Sequence, residues 1–189
     1  MLPTLRTERL RLDAATDSDI DALWAIWREP DVRRYPWDDA AIERPVFVDA
    51  IGRSESLASG GIGMWTIRVA TAPDPVGAVA LVPVGHAPPR DLGPGPHVEL
   101  IYSLSRRFWG RGLAREAIAA VVGYAFDTLA LRRLVAVVDV PNAASHRSLL
   151  RTGFRRTGDS DGPKHRLAWY ALAAPEASPD RTWPEEARE

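Results

Sequence analysis

One run narrows the fold more than any other: HVELIYSL followed by SRRFWGRGLAREA, residues 97–117. Val98, Leu100, Tyr102 and Leu104 alternate with His97, Glu99, Ile101 and Ser103, the two-residue period of a strand. From Gly112 the period changes. Ala114, Ile118, Val121, Val122, Ala125, Phe126 and Leu129 recur at helical steps, which predicts a helix over 112–129. Between the two lie Gly110 and Gly112, flanked by Arg106, Arg107, Arg111 and Arg115. Such a turn leaves the first helical N–H groups unpaired at the positive end of the helix dipole. Glycines there let the backbone close on an anion, and the arginines add mobile positive charge. The chemistry indicated is phosphate binding. The alternative is a turn that uses glycine for geometry alone, with its arginines in water.

The rest of the chain surrounds that unit with mixed elements. Residues 5–13 read as a strand. Thr16-Asp17 offer a helix cap, and Ile20, Leu23, Trp24 and Trp27 form the apolar stripe of a helix that Pro30 ends. A second helix is expected near 40–57, capped by Asp38 or Asp39 and interrupted by Pro45. Strands follow at 64–69 and 76–84, then a Pro/Gly loop over 85–96, GHAPPRDLGPGP, long enough to be mobile or functional. Beyond the 112–129 helix come a buried strand at 134–140, a short helix at 142–152 stopped by Gly153, and strands at 154–158 and 166–172. This order predicts one α/β domain over 1–173, with the Pro- and charge-rich residues 174–189 as a flexible tail.

Composition excludes several functions. The absence of cysteine removes disulfides, thiolate metal sites and a cysteine nucleophile. A net charge of −1 sets up no field that would recruit nucleic acid or an anionic membrane. There is no apolar run of the roughly 18 residues that suggests a membrane span. The charged start MLPTLRTERLRLD is unlike a signal peptide, so a cytoplasmic protein is expected. His86, His97, His146 and His165 lack the close spacing of a ligand pair, so no metal is expected. No G-x-S-x-G elbow occurs.

The kind of phosphate ligand can be narrowed. A dinucleotide fingerprint wants glycine or alanine where Arg115 stands, and the usual first βα unit is missing. No G-K-[S/T] of a Walker loop exists. Arg107-Phe108-Trp109-Gly110-Arg111-Gly112 does satisfy Q/R-x-x-G-x-G/A, the pyrophosphate signature of the GNAT superfamily of acetyl-CoA-dependent N-acetyltransferases. The chain resembles the branch that contains the ribosomal-protein alanine N-acetyltransferases. Thr7-Glu8-Arg9-Leu10-Arg11-Leu12 matches its opening, and Glu29-Pro30-Asp31-Val32-Arg33-Arg34-Tyr35 a second element. Glu99 to Leu104 with Phe108 to Ala117 match its central stretch, and Asn142, Ser145 and Gly153-Phe154 its last motif. The resemblance runs in order from about residue 5 to 172.

That resemblance implies a mixed, mostly antiparallel twisted sheet of about six to seven strands, split to admit the cofactor and flanked by about four helices. It implies acetyl-CoA as co-substrate, no metal, and an amine acceptor, either a small molecule or a protein N-terminus. A homodimer through an edge strand or a helix would fit the family. Read from the strand alone, Glu99 is either ion-paired to an arginine or kept for a purpose; the family makes it the base, acting through water. Ser145 matches a serine that assists the departing thiolate, although a first-turn serine can also satisfy local backbone groups. Asn142 is an N-cap by position and a contact to the cofactor arm by resemblance. The backbone at Ile101 and Tyr102 would hold the pantetheine arm. The backbone from Arg107 through Phe108, Trp109, Gly110, Arg111, Gly112 and Leu113 to Ala114 would hold the pyrophosphate. For the acceptor, Trp27, Tyr35, Trp37 and Asp38 place aromatics beside acids, which suits a cationic amine; the alternative is tryptophans in a core. Ile101 stands where the family often has glycine. That departure favours a second reading, an acyl-CoA-binding sensor without catalysis, against which Glu99 and Ser145 argue.

Overall fold

The computed structural model describes residues 1–36, 38–85 and 97–175. Trp37, His86 with nearly all of the Pro/Gly loop, and the tail from residue 176 lie outside the described residues. In chain order the elements are β1 (Leu5–Arg6), β2 (Leu10–Ala14), α1 (Ile20–Trp27), α2 (Pro30–Arg33), α3 (Arg44–Leu57), β3 (Gly63–Val69) and β4 (Gly77–Pro83). Then come β5 (Val98–Leu104), α4 (Leu113–Asp127), β6 (Arg133–Asp139), α5 (Ala143–Arg151), β7 (Arg155–Ser160) and β8 (Leu167–Ala173). Eight strands form one sheet in the order β1-β2-β3-β4-β5-β6-β8-β7. All pairings are antiparallel except β5 with β6.

Strand alternation sorts the sheet into two faces. Trp65, Ile67, Val79, Leu81, Leu100 and Leu104 join Leu113, Ile118 and Val121 of α4 in the larger core. On the other face Met64, Ala78 and Ala80 meet Ile20, Leu23, Phe47 and Ile51 of α1 and α3. The small alanines keep that second face shallow. Glu99, Ile101 and Ser103 stand in register with Val82, Ala80 and Ala78.

The sheet opens between β5 and β6. β4 pairs with β5 along its whole length, from Gly77↔Leu104 to Pro83↔Val98. β5 and β6 share the single registered pair Glu99↔Val135, beyond which they part. The backbone edges facing that gap are left without a ladder, available to a ligand.

Several expectations need correction. The strand at 5–13 is two strands joined by a turn, which raises the count to eight. Pro30 does not end the first helix; it occupies the first turn of α2, where its missing N–H costs nothing, and this separate short helix brings the helices to five. Pro45 likewise lies in the first turn of α3 rather than inside it. Neither Asp38 nor Asp39 caps α3. Both have left-handed backbone, φ 50° and 66°, and the cap is the extended Glu43. On α4 the buried face is carried by Leu113, Ala117 and Tyr124 with Ile118, Val121 and Ala125; Ala114, Val122 and Phe126 sit at its margin.

Candidate active site

The turn after β5 is a 3-10 turn over Arg106–Phe108, then Gly110 and Gly112 with φ of 75° and 77°. Nothing would crowd a Cβ at Gly110, and only Arg9 Nη2, at 3.5 Å, would meet one at Gly112. Both glycines are therefore needed for the left-handed backbone, not for space. Phe108 is buried and Trp109 Nε1 donates to the Leu104 carbonyl at 2.7 Å, which pins the turn to the end of β5. The first helical bond is Glu116 N–H to Gly112 O, so the N–H groups of Leu113, Ala114 and Arg115 precede the ladder.

A brace holds that helix start in place. Glu116 in the first turn of α4 accepts from Thr7 Oγ1 at 2.5 Å, from the Arg9 N–H at 2.9 Å and from Arg9 Nε at 2.6 Å. Arg9 Nη1 also donates to the Arg111 carbonyl at 3.0 Å. Partial burial raises the Glu116 pKa, but these hydrogen bonds and the Arg9 charge outweigh it, and the carboxyl is held below its ordinary range. Thr7, Arg9 and Glu116 all fall in the motifs quoted above, but nothing in spacing alone shows that they meet across more than 100 residues.

The arginines divide. Arg107 and Arg111 are exposed and lie over the Phe108 ring, at 4.8 and 5.4 Å. Arg106 is not mobile charge. It pairs with Asp31 at 3.2 Å, its N–H donates to Glu29 at 2.8 Å, and it covers Trp109 at 5.0 Å. It ties the turn to α2.

Glu99 sits where the sheet opens and is 6% exposed. Burial raises its pKa from 4.5 to about 7, and a hydrogen bond from the Val137 N–H on β6 opposes that rise. No arginine charge among the described residues contributes, so the ion-pair reading of Glu99 does not hold there. Tyr102, on the opposite face of β5, spans the opening and donates to the Ser145 carbonyl at 3.3 Å. Burial pushes its phenol up, against hydrogen bonds to Ser145 and Ser148.

Asn142 caps α5: its Oδ1 accepts from the Ser145 N–H at 3.2 Å. That places the Ser145 side chain in the first turn of α5, on the wall of the opening. Trp27 Nε1 donates to Ser103 Oγ at 2.6 Å, and its ring meets Phe47 edge-on at 4.0 Å. Tyr35 O–H donates to the Pro141 carbonyl at 3.2 Å.

One cleft of about 1470 Å³ gathers these residues. Its wall includes Glu99, Ile101, Tyr102, Asn142 and Ser145, the turn from Phe108 to Ala114 apart from Arg111, and Trp27, Tyr35 and Asp38. Arg107 and Arg111 are not on that wall. Ile101 is 43% exposed, facing the cleft rather than a packed core. Sequence reasoning missed Val137 and Ser103, whose roles depend on neighbouring strands and helices. Among the described residues, no group of three or more His, Asp or Glu residues is placed to hold a metal ion, and no helix is long and apolar enough to cross a membrane.

Comparison with known proteins agrees with this geometry. The acetyltransferase (GNAT) domain family matches residues 9–155. YoaA of Bacillus subtilis (strain 168), an uncharacterised N-acetyltransferase, is 30% identical over 159 residues, covering 84% of this chain and 86% of YoaA. The solved acetyltransferase from Agrobacterium tumefaciens str. C58 superposes with a TM-score of 0.72 at 26% identity, covering 91% of this chain and 95% of that one. The ribosomal-protein-S5-alanine acetyltransferase from Vibrio fischeri shares the fold, with a TM-score of 0.74 at 15% identity over 94% of this chain and 100% of that one.

Proposed function

This chain belongs to the GNAT acetyltransferase family, and from that premise we propose that it moves an acetyl group from acetyl-CoA to a primary amine within a ternary complex, with Glu99 as the base. Acetyl-CoA supplies the acetyl group as a reactive thioester. Every other part of the proposal concerns this chain's own residues. The N–H groups at the start of α4, with the left-handed turn at Gly110 and Gly112, receive the pyrophosphate. Arg107 and Arg111, exposed over the Phe108 ring and outside the cleft wall, add positive charge beside it. The unladdered edge of β5 at Ile101 and Tyr102 receives the pantetheine arm, and Asn142 borders it from α5.

The observation that carries the reading is the position of Glu99. It is a buried carboxyl with a pKa of about 7, at the fork of the sheet and on the wall of the cleft that begins at the glycine turn. Such a group is half ionised near neutrality and is matched to taking a proton from an amine, here through a water. The amine nitrogen bonds to the carbonyl carbon, the carbon–sulfur bond breaks, and the amine's proton ends on Glu99. Ser145 donates a hydrogen bond to the departing sulfur; with an ordinary hydroxyl it is a donor rather than an acid. Holding both substrates in one cleft supplies much of the rate. Ile101 lies in the cleft and narrows it beside Glu99, which bears on the acceptor's size more than on whether the reaction occurs.

Thermal unfolding with acetyl-CoA, CoA, NAD and ATP tests the donor. A ligand at about 100 times its dissociation constant adds about 2.7 kcal/mol, a rise of several degrees. The reading expects that rise with acetyl-CoA and CoA and none with NAD or ATP; a rise with NAD or ATP alone would overturn it.

A further inference from the structure

We infer that the acceptor is a small primary monoamine with a flat apolar body, rather than the N-terminus of a protein. The inference rests on the transferase reading above and extends it to the substrate class.

Three observations carry it. First, the acceptor end of the cleft is bridged. Tyr35, just after α2, donates to the Pro141 carbonyl at 3.2 Å, and Lys164, in the β7–β8 hairpin, donates to the Asp38 carbonyl at 3.3 Å. The Tyr35 and His165 rings stand 6.2 Å apart. Tyr35, Asp38 and Pro163 all line the cleft, so these contacts tie the segment after α2 to the β6–α5 turn and to the last hairpin. A protein N-terminus must thread an extended chain past these contacts, whereas a small molecule needs no such passage.

Second, the wall beside Glu99 is apolar and shallow. Val82, Ile101 and Trp27 face the cleft, over the buried Met64, Ala78 and Ala80. Trp27 is held in one orientation by Ser103 and Phe47. This surface suits a planar hydrocarbon group. Third, of the acids on the cleft wall among the described residues, only Glu99 is buried. Asp31 is spent on Arg106. Asp38 and Asp139 are half-buried, so a polyamine's second ammonium in the apolar part would meet no fully buried anion besides Glu99 among the described residues, which is costly.

The test uses the full chain at saturating acetyl-CoA with thiol release as readout. The acceptors are phenethylamine, tryptamine, spermidine and a hexapeptide with a free N-terminal alanine. The inference expects kcat/KM for an arylalkylamine at least tenfold above both spermidine and the peptide. A peptide or spermidine equal to or better than the arylalkylamines overturns it. The double variant Tyr35→Phe, Lys164→Ala checks the bridge: the gap between arylalkylamine and peptide should narrow at least threefold. A gap that does not move removes the bridge as the cause and overturns the inference on that ground. The base is tested separately by Glu99→Gln on the best acceptor. Wild-type turnover by that variant across pH 6–9 breaks the catalytic reading while leaving the acceptor ranking intact. Acetyl-CoA binding with no turnover of any amine overturns both.

Discussion

The two walls of the cleft are built in different ways. The wall proposed for the donor is local: one strand, one glycine turn and one helix start, from Glu99 to Glu116, with a single carboxylate binding the β1–β2 turn to the helix. The wall proposed for the acceptor has no such unit. Trp27, Tyr35 and Asp38 come from the early helices and the turn after them, and Pro163 from the last hairpin; exposed single hydrogen bonds join Tyr35 to Pro141 and Lys164 to Asp38. Phosphate recognition needs backbone N–H groups in fixed directions, which a short chain segment can supply. Recognition of an apolar amine needs a shaped surface, which is assembled from distant segments.

The sharpest way to break this comparison is at the residue the two walls share. Replacing Glu99 with Gln should lower kcat about 10²–10⁴-fold if it is the base. Wild-type kcat/KM should rise with pH through about 7, where Glu99 ionises, and the variant should lose that limb. Stability should move the other way. The folded pKa is raised, so the stability Glu99 contributes is present below its ordinary 4.5 and lost as pH rises through about 7. Chemical denaturation should find Glu99→Gln more stable than wild type at pH 8, by up to about 3 kcal/mol, and equal to it at pH 4. Loss of rate with no gain of stability would mean that burial is not what tunes this group.

The donor wall alone is probed by Glu116→Ala, which should cost about 1–2 kcal/mol because Arg9, half exposed, rehydrates when its partner is gone. The Glu116 carboxyl is held below its ordinary range, so its contribution is present above that range and lost as pH falls through the lowered pKa. Wild type and variant should therefore converge in acid, as denaturant midpoints would show. Its effect on acceptor KM should be small if the two walls are independent. The smallest effect is expected from Gly112→Ala. The left-handed backbone costs an L-residue about 1–2 kcal/mol, while the added carbon meets nothing closer than 3.5 Å. Calorimetry should show acetyl-CoA binding weakened about tenfold with acceptor KM unchanged. A larger change in the acceptor would join the walls that the geometry separates.

Much of the donor wall was legible in the sequence because its signals are periodic or local. Alternation along residues 97–104 sorts Glu99, Ile101 and Ser103 from the core face, and the two glycines mark the tight turn before the helix; its left-handed backbone is a structural finding. The quoted motifs contained Thr7, Arg9 and Glu116, yet not their contact. Prolines misled. In sequence Pro30 and Pro45 look like breaks, yet each lies in the first turn of a helix, because the missing N–H that breaks a helix in its middle is harmless there. Arg106 resembled its neighbours in sequence and differs from them only because α2 brings Asp31 and Glu29 to it.

By itself the sequence determined the strand–turn–helix unit, the face on which Glu99 stands and the succession of α and β elements, because these depend on steric limits and on burial that repeats with short periods. Only the tertiary structure decided where the sheet parts, how far Glu99 is desolvated and which segments are joined beside the cleft. Those are set by the register Glu99↔Val135, by the Val137 N–H and by contacts such as Tyr35 with Pro141 and Lys164 with Asp38. The energies of such contacts depend on distances between remote segments, and no local pattern of residue types carries a distance.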